Sequence, residues 1–196
     1  MATVTKSTKD TLHVRERILE TANQLFYQEG VNAVGIDRIL HEAGAAKASL
    51  YSHFGSKDDL VAAYLEHRGA QWRRQVTEEM ERLGGSATDQ LLLLFDLMGD
   101  WSCQREFRGC PFINAAGELS DSSHPAHAVA REHRKWHHDL IRKLVEETGV
   151  ADVENVTQTM IVLYDGAVTV SLLDGNQRQA SASARWAAAC LLGVTT

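Results

Sequence analysis

The sequence predicts an all-α fold, nine helices in a two-part chain with a small N-terminal head and a larger helical body. Three observations predict it. Only 2 prolines stand among 196 residues and runs of β-branched residues are few, so little competes with helix. Apolar residues recur three and four apart along most of the chain. Between Gly35 and Leu60, in GIDRILHEAGAAKASLYSHFGSKDDL, glycines cut this pattern into two short helices and the start of a third.

The first helix is expected over residues 11–29. Val14, Ile18, Leu19, Ala22, Leu25 and Phe26 form its buried stripe, and Gly30 ends it. Residues 1–10 are expected to be disordered, with Lys6 and Lys9 as candidate phosphate contacts. The second helix, 36–43, puts Ile36, Ile39, Leu40 and Ala43 on one face. It stops at Gly44, which takes φ > 0 without a Cβ penalty. The third, 46–52, turns Leu50 and Phe54 inward. Ser56 suits the N-cap of a fourth helix over 57–83, whose first turn carries Asp58 and Asp59.

Gly84-Gly85-Ser86 separates that helix from a fifth over 87–104, which contains LLLLFDLM. Pro111 suits the first turn of a sixth helix reaching 119, and Pro125 starts a seventh reaching 148. The eighth is expected over 153–173 and the ninth over 178–192, with Asp174-Gly175-Asn176 between them. The chain shows no internal repeat and no low-complexity tract.

Composition narrows the partners. Net charge is −6, yet residues 1–57 hold 7 Lys+Arg against 6 Asp+Glu, so most of the excess acid lies in the body. A head with a few placed donors can hold phosphate while an acidic body limits non-specific binding. No apolar stretch is expected to approach the roughly 20 residues that span a bilayer. The N-terminus MATVTKSTKDTLH lacks the apolar core of a signal peptide. Cys103, Cys110 and Cys190 form no CxxC pair and are expected to be reduced thiols in the cytoplasm.

A helix, a glycine turn and a second helix presenting Lys47, Ser49, Tyr51 and His53 make a helix-turn-helix. The run AGAAKASLYSHFGSKDDL closely resembles the signature of the TetR family of dimeric transcriptional regulators. So do Arg17-Ile18-Leu19-Glu20-Thr21-Ala22, Leu25-Phe26 and Gly30 upstream. The resemblance covers about residues 11–65. It implies a DNA-binding domain at 11–56, a ligand-binding and dimerisation domain at 57–196, and a cytoplasmic homodimer. The implied partners are a pseudo-palindromic double-stranded operator and a small-molecule inducer, with no cofactor, metal, membrane or catalytic residue.

Carried over by position, the resemblance implies that Tyr51, His53 and Lys57 grip the DNA backbone while Ala45, Ala46, Lys47, Ala48 and Ser49 face the bases. Lys47 suits guanine O6/N7, and Ser49 a base or a phosphate. A small core around Phe54 is the alternative for Tyr51 and His53. Ala46 departs from the Ser common in the family, which gives up roughly 1 kcal/mol of capping. The alanine-rich turn leaves few polar groups for base reading, so part of the specificity would come from DNA shape.

Further back, the resemblance implies an inducer pocket among the middle helices, with Trp72, Met98, Trp101, Cys110, Phe112 and Trp136 as candidate lining. Plain core packing accounts for the same residues. It also implies a dimer built as a four-helix bundle from the last two helices, with Met160, Leu163, Tyr164, Ala167 and Trp186 in the interface. An internal helix pair is the alternative. HPAHAVAREHRKWHHDL puts His133 and His137 one turn apart, a spacing that suits a metal. A polar, solvated face suits it better, since Glu132 and Asp139 do not complete an HExxH.

Cys110 precedes Pro111, which places it at a helix N-terminus where thiolate is favoured, and Arg105 and Arg108 are near in sequence. GCPFINAAGEL also resembles a branch of the family in which some members sense oxidants or electrophiles through a cysteine here. A small pocket-lining residue is the alternative. The expected function is a ligand-responsive regulator, a repressor released from its operator by a small molecule. A thiol or electrophile sensor through Cys110 is the variant within that class. The rivals from other classes are a metal- or thiol-dependent hydrolase and an interaction module that has lost DNA binding.

Overall fold

The computed structural model describes residues 4–194, with side chains from His13 onward. Among the described residues there are nine helices and no strand: α1 Val4–Glu29, α2 Ile36–Ala43, α3 Lys47–Phe54, α4 Lys57–Leu83, α5 Ala87–Ser102, α6 Pro111–Glu118, α7 Pro125–Thr148, α8 Val153–Asp174 and α9 Gln177–Leu191. Most bounds fall within two residues of expectation. The exception is α1, which starts at Val4 instead of residue 11. The side chains of Lys6 and Lys9 lie outside the described residues.

The chain forms two compact units. One, the head, is Met1–Ala70 with Pro111–Arg131; the other, the body, is Gln71–Cys110 with Glu132–Thr196. A boundary at residue 57 therefore does not separate them. The reason is that the first half of α4 buries Leu60, Val61, Tyr64 and Leu65 in the head. Glu118 at the end of α6 is also clipped to the turn after α1. The Asn32 backbone N–H donates to its carboxylate at 2.9 Å, and Asn32 Nδ2 donates to its carbonyl at 2.7 Å. Gly30 makes room for this clip: a Cβ there would lie 2.8 Å from the Glu118 carboxylate.

The head's core joins Ile18, Ala22, Leu25 and Phe26 of α1 to Ile39, Leu40, Leu50 and Phe54, all buried. Phe26 and Tyr64 pack ring to ring at 5.7 Å. The turn between α2 and α3 is set by Gly44 at φ 59°, ψ 42°, a left-handed conformation. It lets the Ala45 N–H reach back to the Leu40 carbonyl at 3.0 Å. Arg17 of α1 finishes the cap, donating from Nε to the Ala43 carbonyl (3.1 Å) and from Nη2 to the Gly44 carbonyl (3.2 Å). A cation at the negative end of a helix dipole is favourable as well as saturating its last acceptors.

In the body, α5 is the apolar strut. It buries Leu91, Leu94, Phe95 and Met98 against Ile141, Val145, Met160, Ile161 and the alanines of α9. Ser86 and Asp89 close a capping box at its start. Gly99 lets α9 approach α5, since a Cβ there would lie 2.9 Å from Ser181 Cβ. One expectation is corrected here: α8, with 22 residues and an 18-residue stretch of mean hydropathy 1.4, is long and apolar enough to span a bilayer. It is apolar on two faces. One holds buried Met160, Ile161, Tyr164, Ala167 and Val168, and the other holds exposed Val162, Val170, Leu172 and Leu173.

Replacing Arg17 with Met is expected to loosen the α2–α3 turn while leaving both helices formed. Losing a charge-assisted cap of this kind costs about 1–1.5 kcal/mol, which is about tenfold in local opening. Hydrogen exchange at the Ala45 amide reads it: protection unchanged from the native protein would remove Arg17 from the account of this turn.

Candidate functional site

The head presents α3 edge-on. Leu50 (0% exposed) and Phe54 (8%) hold it down, and Arg15 lies over the Phe54 ring at 5.0 Å. The rest of the helix is outward. Ala46, Lys47, Ala48, Tyr51 and Ser52 are exposed, and Ala45, Ser49 and His53 are half-buried. Tyr51 is 46% exposed, against the small-core reading of that residue. His53 is the more mixed case, its ring edge-on to Phe54 at 6.4 Å. Ala46 caps α3 with no side-chain bond, so the N–H groups of its first turn are uncapped by any side chain.

Lys57 is half-buried in the first turn of α4, directly after Ser56. Ser56 Oγ accepts the Asp59 N–H at 3.0 Å, which fixes that turn. Lys47 lies 3.4 Å from Asp37 in a fully surface pair of little strength, so a phosphate or a base edge can displace the carboxylate. These donors share the exposed side of α3 and the α4 start. Arg17 is the residue that sequence reasoning passed over. It was legible only as part of the family signature, since its acceptors lie 26 and 27 residues away.

The body candidates sort differently. Trp72 packs on Trp101 at 6.0 Å, and Trp101 meets Phe107 edge-on at 4.8 Å. Both tryptophans and Cys110 are partly buried against the apolar core. Met98, at 0% exposure, is close-packed core. Phe112 is buried, at 8% exposure, and belongs to the head. Trp136 is ringed by histidine: His133 at 5.7 Å and His137 at 6.1 Å, the latter stacked.

The solvated histidine face is corrected. His137 is 5% exposed, its ring edge-on to Tyr164 at 4.7 Å, and its Nε2 is buried with no hydrogen-bond partner. His133 is half-buried, and the side chain of His124 is 8% exposed, its Nε2 3.4 Å from Asp58. Alternation with Arg, Lys and Asp makes the run read as solvated, but on α7 His133 and His137 share a side that exposed Lys135 and Asp139 do not. Among the described residues no three His, Cys, Asp or Glu gather as a metal-binding group. Burial, with His133, Arg134 and His138 nearby, pushes the His137 imidazole down to about 3. Burial, with Arg73 and Arg134, pushes His133 down to about 4. Burial raises the Tyr164 phenol, with Cys110 and Asp165 adding to it.

The dimer candidates are also divided. Met160 (1% exposed), Tyr164 (7%) and Ala167 (5%) lie in the chain's own core, so they offer a partner no surface. An apolar helix has no polar face to reveal which stripe turns inward. Leu163 is half-buried and Trp186 is 60% exposed, alongside Val162, Val170, Leu173 and Leu191.

A head that holds one helix outward across a glycine turn, carried on a separate helical body, is the build of a DNA-binding regulator of transcription. Comparison with known proteins agrees. A model of bacterial regulatory proteins of the tetR family matches residues 18–64, and one of the tetracyclin repressor-like C-terminal domain matches residues 87–187. The chain belongs to the TetR family of transcriptional regulators. It is 34% identical to SCO4454, a TetR-family regulator from Streptomyces coelicolor, whose crystal structure superposes with a TM-score of 0.86 over 92% of this chain and 95% of that one. It is 28% identical over 165 residues to the HTH-type transcriptional regulator LmrA of Bacillus subtilis, 83% of this chain and 88% of that protein. It is 31% identical over 117 residues to the transcriptional repressor NemR of Escherichia coli K12, 59% of each.

The buried histidines give a pH dependence with a definite sign. The unfolded chain takes up protons near pH 6.5 and the folded body does not, so stability is complete above pH 6.5 and falls as pH drops toward 3. Between pH 6.5 and pH 5 His137 alone accounts for about 2 kcal/mol. His137→Phe is expected to remove that share. Urea unfolding followed by tryptophan fluorescence at pH 7 and pH 5 checks it, and an unchanged difference between the two pH values would rule it out.

Proposed function

We propose that the protein is a cytoplasmic homodimeric repressor, released from a pseudo-palindromic operator by a small molecule bound in the body. The observation that carries this is α3, anchored by Leu50 and Phe54, with Lys47, Ala48, Tyr51 and Ser52 exposed and Ser49 and His53 half-buried. Lys47 and Ser49 read bases, Ala45, Ala46 and Ala48 let the helix come close, and Tyr51, His53 and Lys57 hold phosphates. Two such heads, about 34 Å apart, reach successive major grooves. The outer stripe of α8 and α9 supports the dimer: Leu163, Val170, Leu173 and Trp186 are apolar residues that a second copy would cover. Ligand acts by binding more tightly to a state whose head spacing does not fit the operator.

Membership in a family of DNA-binding regulators weighs against the hydrolase. The outward lysines and tyrosine weigh against an interaction module that has lost DNA. Cys110 favours one variant within the class. Unlike exposed Cys103 and Cys190, it is packed against the body's core, close enough to influence Tyr164. An electrophile added to its sulfur would wedge that core open, and so release the operator.

Three outcomes are expected. Lys57→Ala weakens binding to all sequences alike and lowers the salt slope by about 1; an unchanged slope in gel shifts at graded salt removes its phosphate role. Leu163→Asp and Trp186→Asp each give a monomer that no longer binds operator, and a dimer in sedimentation for both would refute the α8–α9 interface. N-ethylmaleimide releases operator from the native protein and not from Cys110→Ser, whereas equal release would leave Cys110 as lining only.

A further inference from the structure

Between residues 13 and 70 the head carries six lysines and arginines, and four of them are engaged within the protein. Arg17 is held by two backbone carbonyls, and Arg38 by Glu29 and Glu42. Lys47 is paired with Asp37, and Arg68 donates to Asn23 Oδ1 at 2.7 Å with its guanidinium over the Tyr27 ring. Arg15 and Lys57 are left. Among the described residues neither has a carboxylate or a carbonyl as partner. Lys57 is accounted for as a phosphate contact, and Arg15 is not.

The place of Arg15 is unusual for a charge. It stands on the inward stripe of α1, three residues before Ile18 and seven before Ala22, both of which are buried. Packing by itself would be met there by leucine or methionine. The arginine instead stays exposed, with its guanidinium 5.0 Å from the centre of the Phe54 ring. A long cationic side chain can cover apolar surface in this way while its head remains in water. The ring face also holds the cation in one position.

Phe54 makes Arg15 a neighbour of the DNA-facing residues. His53 lies edge-on to the same ring at 6.4 Å, so the guanidinium and the His53 ring are no more than about 11 Å apart. At 3.4 Å per nucleotide along a strand, that spans about three nucleotides. Lys57 opens α4 three residues after Phe54. A guanidinium held still, exposed and free of any carboxylate takes a phosphate through two parallel hydrogen bonds.

We propose that Arg15 is a further phosphate contact of the operator, carrying the DNA-binding surface from α3 onto α1. Phe54 anchors α3 from beneath and positions the Arg15 guanidinium beside His53 and Lys57. This rests on the DNA-binding reading above and adds a residue to it. The contact is to the backbone, so it positions the head and reads no base.

The test separates charge from packing. Arg15→Met keeps an apolar chain on Phe54 and removes the charge, Arg15→Gln is a second uncharged variant, and Arg15→Lys keeps a charge. The probes are a duplex selected from random sequence by the native full-length protein and a random duplex of equal length, in gel shifts at graded salt. Both uncharged variants are expected to lower the slope of log affinity against log salt by about 1 on either duplex. Arg15→Lys should keep the native slope. Phosphate ethylation gives a second readout: one ethylated phosphate in each half-site that weakens the native protein should cease to matter to Arg15→Met. Circular dichroism establishes which variants are folded. A native slope in either folded uncharged variant, or a slope lowered as far in Arg15→Lys, overturns the proposal. If the native protein selects no duplex, the DNA-binding reading fails and takes this contact with it. A selected duplex with an unchanged slope removes Arg15 and leaves that reading standing.

Discussion

The head depends on the way α2 ends. Its last carbonyls need donors, and the chain must reverse within three residues so that α3 crosses it. Gly44 supplies the one backbone conformation that achieves this, and Arg17 supplies the donors that neither water nor the short turn would hold in place. Because Arg17 sits on α1, the same bonds tie the first helix to the turn. Leu50 and Phe54 then settle against α1, and the outward side of α3 follows from where they point. The exposed donors on α3 owe their direction to a glycine and an arginine that are not proposed to touch DNA.

Much of this was legible in the residues. Glycines and prolines mark real boundaries: α4, α6 and α7 begin at Lys57, Pro111 and Pro125 as their start signals require. Inward Leu50 and Phe54 were also readable, because α2 and α3 are short and carry few apolar residues to choose among. Legibility failed where polarity stopped being informative. In α8 the apolar residues run around the helix, so Met160, Tyr164 and Ala167 could be assigned to a partner as readily as to the core that holds them. In α7 the reverse holds, and His137 reads as solvent-facing because its neighbours in sequence are charged. Both errors come from the same cause: helical periodicity finds a stripe, and only packing decides what covers it.

The two faces of α8 also explain why one helix can satisfy the composition of a membrane span inside a chain built as a regulator. One face is core, and the other is an apolar surface with Trp186 and Leu191 of α9 exposed as well. Such a surface on an isolated chain is a liability for aggregation. In the homodimer proposed above, a second copy would cover it.

The division of the chain has a consequence for anyone who would rebuild it. The polypeptide passes between the head and the body after residues 70, 110 and 131, and Glu118 in the second head segment grips the turn at Asn32. A fragment cut after the helix-turn-helix therefore leaves behind a piece of its own support, with the Asn32 amide and side chain open to water. A chimera spliced at a single point, new sensor onto old reader, inherits the same defect. Grafting this reader onto another sensor calls for two junctions, carrying residues 111–131 along with the first 70.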